Sequence, residues 1–158
     1  LHMRRRMEGR ASMKVGIGSD HAGFEYKEAL KALLKDWGHE VMDFGPESAE
    51  SMDYPDVAVP LCHSVVNEEL DKGVLICGTG IGMCIAANKV KGVRCALCSE
   101  SFSAKMTRLH NDSNVLAMGA RTIGIELAAD IMHTFLQTEF PGEERNLRRI
   151  HKVMEIEK

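Results

Sequence analysis

No apolar run in this 158-residue sequence approaches the ~20 residues a helix needs to cross a bilayer. Neither sign of charge is in strong excess. The formal net charge is -3, whereas nucleic-acid binders usually carry a basic face. The phosphate-cradling pattern GxxxxGK[ST] and the nucleophile-elbow pattern GxSxG do not occur, which weakens nucleotide-hydrolase and α/β-hydrolase readings. There is no internal repeat, linker or low-complexity segment. The five cysteines are an odd number, and with no secretory signal they read as free thiols in a reducing, cytoplasmic setting.

What is present suits one domain, long enough to bury a full core without staples. Residues 1–12 stand apart. They hold Arg4, Arg5, Arg6 and Arg10 without core-forming periodicity and read as an expression tag or a disordered arm, leaving 13–158 as the domain.

From Met13 short apolar runs alternate with amphipathic stretches. Strands are expected at Lys14–Gly18, Glu40–Phe44, Gly73–Cys77, Arg94–Cys98 and Val115–Met118. Between them, Leu30, Leu33, Leu34 and Trp37 recur at helical spacing, and Gly38 ends that helix. Further helices are expected at Pro55–Glu69, Ile81–Val90 and Ser101–Leu109. Leu127, Ala128, Ile131, Met132, Phe135 and Leu136 mark a long helix, and Leu147, Ile150 and Met154 a final one. Strands separated by helices imply βαβ crossovers and a parallel sheet covered on both faces, an α/β fold. Strand order is not encoded in periodicity. Ligands in such sheets bind beyond the carboxyl ends of the strands.

Four turns hold residues suited to chemistry. After the first strand, Asp20 could accept hydrogen bonds from sugar hydroxyls and His21 could meet an anion, although Ser19 and Asp20 also suit a helix start. After the third strand comes Cys77-Gly78-Thr79-Gly80-Ile81-Gly82. Alternate glycines let the backbone approach a ligand, and the helix that follows favours an anion or a developing oxyanion. Cys77 therefore sits where a thiolate would be stabilised. Before the fifth strand, His110 suits acid–base work and Asn111 could donate to an oxyanion, while Asn-Asp is also a plain turn signal. Arg145 and Arg149 lie one helical turn apart near the start of the last helix, where cations repel each other and oppose the dipole. A bound phosphate would relieve both conflicts; Glu143 and Glu144 offer local salt bridges instead. Arg121 is a further phosphate contact.

Other features are discounted. Cys95 and Cys98 form a CxxC, but in a strand their side chains point to opposite faces. Asp43 falls near where a ribose-binding acid would be sought, without the glycine fingerprint that should precede it. Cys84, one helical turn from Gly80, reads as a small core residue.

Taken in order, these turns resemble the ribose/galactose sugar-phosphate isomerase family, specifically ribose-5-phosphate isomerase type B. The matching residues are Gly18-Ser19-Asp20-His21-Ala22-Gly23-Phe24, Asp53-Tyr54-Pro55 and Ile76 to Gly82. They continue through Ile85-Ala86-Ala87-Asn88-Lys89, Arg94, Cys98-Ser99-Glu100, His110-Asn111-Asp112 and Gly119-Ala120-Arg121, with Arg145 and Arg149 behind.

The resemblance implies a Rossmann-like (flavodoxin-like) three-layer sandwich with a five-stranded parallel sheet and a C-terminal helix. It implies a homodimer, or a dimer of dimers, with active sites between subunits. Cys77 would move the proton between the first two sugar carbons through an enediolate, Thr79 would assist, and His110 would open the furanose ring. Gly78, Gly80, Ile81, Gly82 and Asn111 would stabilise the enediolate, Asp20 and Tyr54 would hold the sugar, and His21, Arg121, Arg145 and Arg149 the phosphate. No metal or organic cofactor is implied, and no nucleic-acid or membrane partner.

Two departures bear on the pose of the phosphate: Asn146 stands where relatives often have histidine, and Glu144 where glycine is frequent. Some relatives carry a glutamate in the helix after the glycine turn, but Met83-Cys84-Ile85 supplies no acid here. A six-carbon substrate (allose or galactose 6-phosphate) and a non-catalytic phosphosugar-binding role remain alternatives.

Overall fold

The computed structural model describes residues 12–158. The expectation of a tag or arm over 1–12 lies, Ser12 apart, outside the described residues. In chain order the elements are β1 Lys14–Ser19, α1 Phe24–Asp36, β2 Glu40–Asp43, α2 Pro55–Val66, β3 Lys72–Cys77, α3 Ile81–Asn88 and β4 Cys95–Leu97. They continue with α4 Ser101–Met106, a π-helical turn Thr107–Asn111, β5 Val115–Gly119, α5 Ile125–Gln137 and α6 Glu144–Glu155.

All five strands are parallel, in the order β2-β1-β3-β5-β4. Strand alternation sends Val15, Ile17, Val74, Ile76, Leu116 and Met118 to one face, where Leu30 and Leu34 of α1 and Ile131 and Phe135 of α5 cover them. Leu75, Cys77, Val115 and Ala117 face the other way, onto Val57, Leu61 and Val65 of α2 and Met83 and Ala87 of α3. The expected three-layer sandwich is therefore present. Cys98 belongs to the first cluster and Cys95 packs against the second, so the CxxC thiols do face opposite sides.

Glycine in the strands sets how close α2 comes. A Cβ on Gly16, Gly18 or Gly73 would lie within 2.5 Å of Leu70, Val57 or Leu61, so these side chains rest directly on bare backbone. Gly38 ends α1 as its position suggested. It adopts φ +91°, and the His39 N–H reaches back to the Leu34 carbonyl at 3.1 Å.

Asp43 has a structural use. Lys27 is 1% exposed, and its Nζ donates to both Asp43 carboxylate oxygens at 2.8–2.9 Å, while Lys31 reaches Asp43 Oδ2 at 2.8 Å. Burial pushes the Asp43 carboxyl up, but the two lysines outweigh this and hold it below its ordinary 3.8. A carboxylate held low in the fold stabilises it above its unfolded pKa, and that contribution is lost as pH falls through the folded value. Asp43→Asn should therefore cost about 2 kcal/mol at pH 7, less than a fully buried pair because Asp43 is part-exposed. The deficit should shrink below about pH 4, which urea denaturation at pH 7 and pH 3.5 would measure. An equal loss at both values would remove the ion pair from the explanation.

The fourth helix departs from expectation. Regular α-helix stops at Met106 and the chain widens into the π-helical turn. The cause is Arg108, buried at 5% exposure, which donates to the Ser113 carbonyl at 2.7 Å, Asp112 Oδ1 at 2.8 Å and the Thr138 carbonyl at 3.0 Å. These bonds draw the turn inward, and Asp112 closes it at φ +46°.

Candidate active site

The order in which strands are added to the sheet reverses between β1 and β3, the position where open α/β sheets take their ligands. Here the Asp20 N–H donates to the Ile76 carbonyl at 3.1 Å, joining the β1 turn to β3. Because β5 lies next to β3 rather than beyond β4, the loop after β5 joins the same place. The Ala120 N–H donates to the Cys77 carbonyl at 2.8 Å and the Arg121 N–H to the Gly78 carbonyl at 2.9 Å.

Cys77 ends β3 at 5% exposure, and its Sγ accepts the Gly80 N–H at 3.1 Å. That geometry requires glycine. Gly80 has φ +80°, and a Cβ there would come within 2.5 Å of Leu97 and 2.9 Å of the Met118 backbone. Gly119 leaves room in turn for the Thr79 backbone, which a Cβ would approach to 2.6 Å. Thr79 is exposed, its Oγ1 accepting the Ile81 N–H at 3.2 Å. The Gly80 and Ile81 amides are thus engaged within the turn. The next amides of α3, those of Gly82 and Met83 in its first turn, have no intrahelical partner.

The surrounding side chains are positioned by the same loops. Asp20, 8% exposed, braces its own turn with Oδ1 accepting the Gly23 N–H at 3.0 Å, so its carboxylate closes the turn rather than capping α1. His21 Nδ1 accepts the Met52 N–H at 3.3 Å, which leaves the ring proton on Nε2. The Tyr54 ring lies over Gly82, whose added Cβ would meet Cζ at 2.8 Å. The Arg121 side chain runs beside Gly78, with Cδ 3.5 Å from where a Cβ would be. Asp20, His21, Tyr54, Cys77, the Gly78–Gly82 turn and Arg121 therefore form one cluster.

His110 and Asn111 do not join it. They precede β5, whose register pairs Gly73 with Val115 and Cys77 with Gly119. His110 thus lies toward the amino ends of the strands and Cys77 at the carboxyl ends, separated by at least the strand's length, ~13 Å at ~3.3 Å per residue. Arg94 holds this second group, its Nε donating to the Asn111 carbonyl and Nη2 to the Asp112 carbonyl, each at 2.9 Å. His110, Asn111 and Arg149 line a groove of about 810 Å³ between β4 and α6. Arg145 and Arg149 are exposed. Arg145 lies 3.6 Å from Glu143, Glu144 pairs instead with Arg148 at 3.2 Å, and Arg149 has no ion pair among the described residues.

Two residues of this second group went unassigned from sequence. Arg108 shapes the turn through contacts to residues beyond its own helix, which no local pattern reports. Asn146, noted only as a departure, is 5% exposed and lines the groove beside Arg149.

Among the described residues no group of three or more His, Cys, Asp or Glu could hold a metal ion, and no helix is long and apolar enough to cross a membrane. Burial pushes the Cys62 thiol up to about 12 and the Cys98 thiol up to about 11, which sets both apart from reactive cysteines.

The profile of the ribose/galactose isomerase family matches residues 15–153. Ribose-5-phosphate isomerase B of Escherichia coli is 44% identical over 144 residues, covering 91% of this chain and 96% of that protein. D-erythrulose-4-phosphate isomerase of Pectobacterium atrosepticum is 42% identical over 131 residues, covering 82% and 86%. The solved ribose-5-phosphate isomerase B of Clostridium thermocellum superposes with a TM-score of 0.90 at 50% identity, covering 92% of this chain and 97% of its own. That of Mycoplasma genitalium, with bound ribulose-5-phosphate, gives 0.88 at 39% identity, covering 94% and 98%. With the profile spanning nearly all the described residues and the sheet superposing throughout, the chain belongs to the ribose/galactose isomerase family of enzymes.

Proposed function

We propose that this chain interconverts D-ribose 5-phosphate and D-ribulose 5-phosphate through an enediolate, as a homodimer in which each active site draws on both copies. The observation that carries the reading is Cys77, a buried sulfur at the end of β3 with an N–H on it and a helix N-terminus beside it. The names of the Escherichia coli and Mycoplasma genitalium relatives support the pentose substrate.

In this reading the ring form binds first. His110 of a second copy relays a proton between the ring oxygen and the anomeric hydroxyl, because the closed sugar has no carbonyl to activate. Cys77, as thiolate, takes the proton from C2 of the open aldose and returns it to C1. Negative charge passes to the C1 and C2 oxygens, where the first-turn amides of α3 and the second copy's Asn111 meet it with fixed dipoles. Thr79 moves the proton between those two oxygens. Asp20 and Tyr54 hold the sugar, while His21, Arg121 and the second copy's Arg145 and Arg149 hold the phosphate, whose oxygens match the guanidinium fork.

The strand register supports a second copy at the site. A residue before β5 cannot meet one after β3 in the same chain, so His110 serves a neighbour's Cys77 or none.

The test is a panel of ribose 5-phosphate, erythrulose 4-phosphate, allose 6-phosphate and galactose 6-phosphate in deuterated water. The highest kcat/KM is expected for the pentose, with deuterium entering the product. A larger value for another sugar would overturn the substrate, as the name of the Pectobacterium relative makes worth checking. No exchange with any sugar would leave a binding protein.

A further inference from the structure

The mechanism gives Arg94 no task, yet its guanidinium joins the parts of the groove that holds His110, Asn111 and Arg149. Nε donates to the Asn111 carbonyl and Nη2 to the Asp112 carbonyl, each at 2.9 Å, so one planar fork spans two successive peptides. Those carbonyls close the π-helical turn, where a helix leaves its acceptors without partners. Nη1 reaches Met154 Sδ at 3.5 Å on α6, the helix that also carries Arg149. Asp112 is shared: Arg108 Nη1 holds Oδ1 at 2.8 Å, and Arg94 Nη2 lies 3.6 Å from Oδ2.

The base of Arg94 is equally fixed. Its N–H donates to Asn114 Oδ1 at 2.8 Å, and its carbonyl accepts the Asn114 N–H at 3.0 Å. Asn114 Nδ2 donates to the Gly92 carbonyl at 2.9 Å, and the Gly92 N–H meets the Glu157 carboxylate just beyond α6 at 3.1 Å. With side chains 21% and 38% exposed, the long Arg94–Asp112 ion pair adds little stability. The larger consequence of the fork is where it holds the turn.

We propose, on the reading that two copies share each active site, that Arg94 is a positioning residue for the isomerisation. It sets His110 and Asn111 relative to Arg149, so that ring-opening group and phosphate clamp reach the neighbour's sugar as one unit. A lysine would keep the cation but has no fork to span both carbonyls.

Arg94→Ala and Arg94→Lys should each lower kcat/KM for ribose 5-phosphate by about 10²-fold, the cost of a ~1 Å misplacement. The lysine variant should keep a Tm near wild type, which separates placement from folding. Mixed with Cys77→Ala, Arg94→Lys should recover about one quarter of wild-type activity, because half the dimers then carry one site with neither change. Mixed with His110→Ala it should recover nothing, since both changes fall in the same half of a shared site. The reverse pattern would place the effect of Arg94 on its own chain's Cys77 and overturn the proposal. So would an Arg94→Lys variant with wild-type kcat/KM. The control is the mix of Cys77→Ala with His110→Ala. Recovery in that mix alone would overturn the role of Arg94 only, whereas no recovery there would overturn the shared site and this role with it.

Discussion

Cys77→Ala is expected to lower kcat for pentose-phosphate isomerisation by about 10³-fold, within the range measured when a positioned general base is removed. The loss should fall on kcat more than on KM. Cys77 is 5% exposed at the end of a strand, while the residues assigned to the sugar and phosphate stand on other loops. Deuterium exchange from solvent into the sugar should fall in parallel, since a thiol that does not take the C2 proton cannot pass label to C1. The fold should survive, because removing one buried sulfur leaves a small cavity costing about 1 kcal/mol. The Gly80 N–H loses its acceptor, but that turn remains fixed by the Ala120 and Arg121 bonds to the Cys77 and Gly78 carbonyls. Cys77→Ser should be nearly as slow, because a serine hydroxyl keeps the shape and yields no usable anion at neutral pH. A Cys77→Ala variant within tenfold of wild type would show that the base is elsewhere. Cys84 would then be the next thiol to test, since side-chain hydrogen bonding holds it down to about 7.

The glycine turn after β3 was legible in sequence because its constraints are local. A cysteine closing an apolar run, with glycines at alternate positions, states a strand end and a backbone that must turn tightly, and Gly80 does adopt a left-handed φ. Element order was legible for the same reason, as Leu30 and Leu34 or Ile131 and Phe135 face the sheet at helical spacing. Strand order was not, because placing β5 between β3 and β4 depends on contacts far apart in sequence. That order matters, since it carries Arg121 to Gly78. The π-helical turn was also hidden. The turn is held by bonds that local pattern does not report, among them those of buried Arg108 to Asp112, Ser113 and Thr138. Cys84 read as a small core residue, and the clamp of Asn88, four residues on, onto β4 is a contact that no local pattern reports. Asp43 shows the reverse: an acid at a suggestive spacing whose charge is spent on Lys27 and Lys31.

Mixing two crippled variants, Cys77→Ala and His110→Ala, should restore activity that neither has alone. The strand register places Cys77 level with Gly119 at the carboxyl ends and His110 before Val115 at the amino ends, so no single chain assembles both groups. In a two-fold dimer each site would then combine one copy's Cys77 with the other copy's His110. A mixed dimer has one site carrying both substitutions and one carrying neither. Random exchange makes half the dimers mixed, with half their sites intact, so activity should recover to about one quarter of wild type. The readout needs substrate presented as the closed ring, because His110→Ala should act on the small open-chain fraction without the ring-opening step. The recovery must develop on the timescale of subunit exchange and vanish if each variant is first cross-linked with itself. Activity that stays at the sum of the separate variants, with exchange shown by mass, would place the ring-opening group within the chain that holds Cys77. His21, the histidine already in the Cys77 cluster, would then be the residue to substitute.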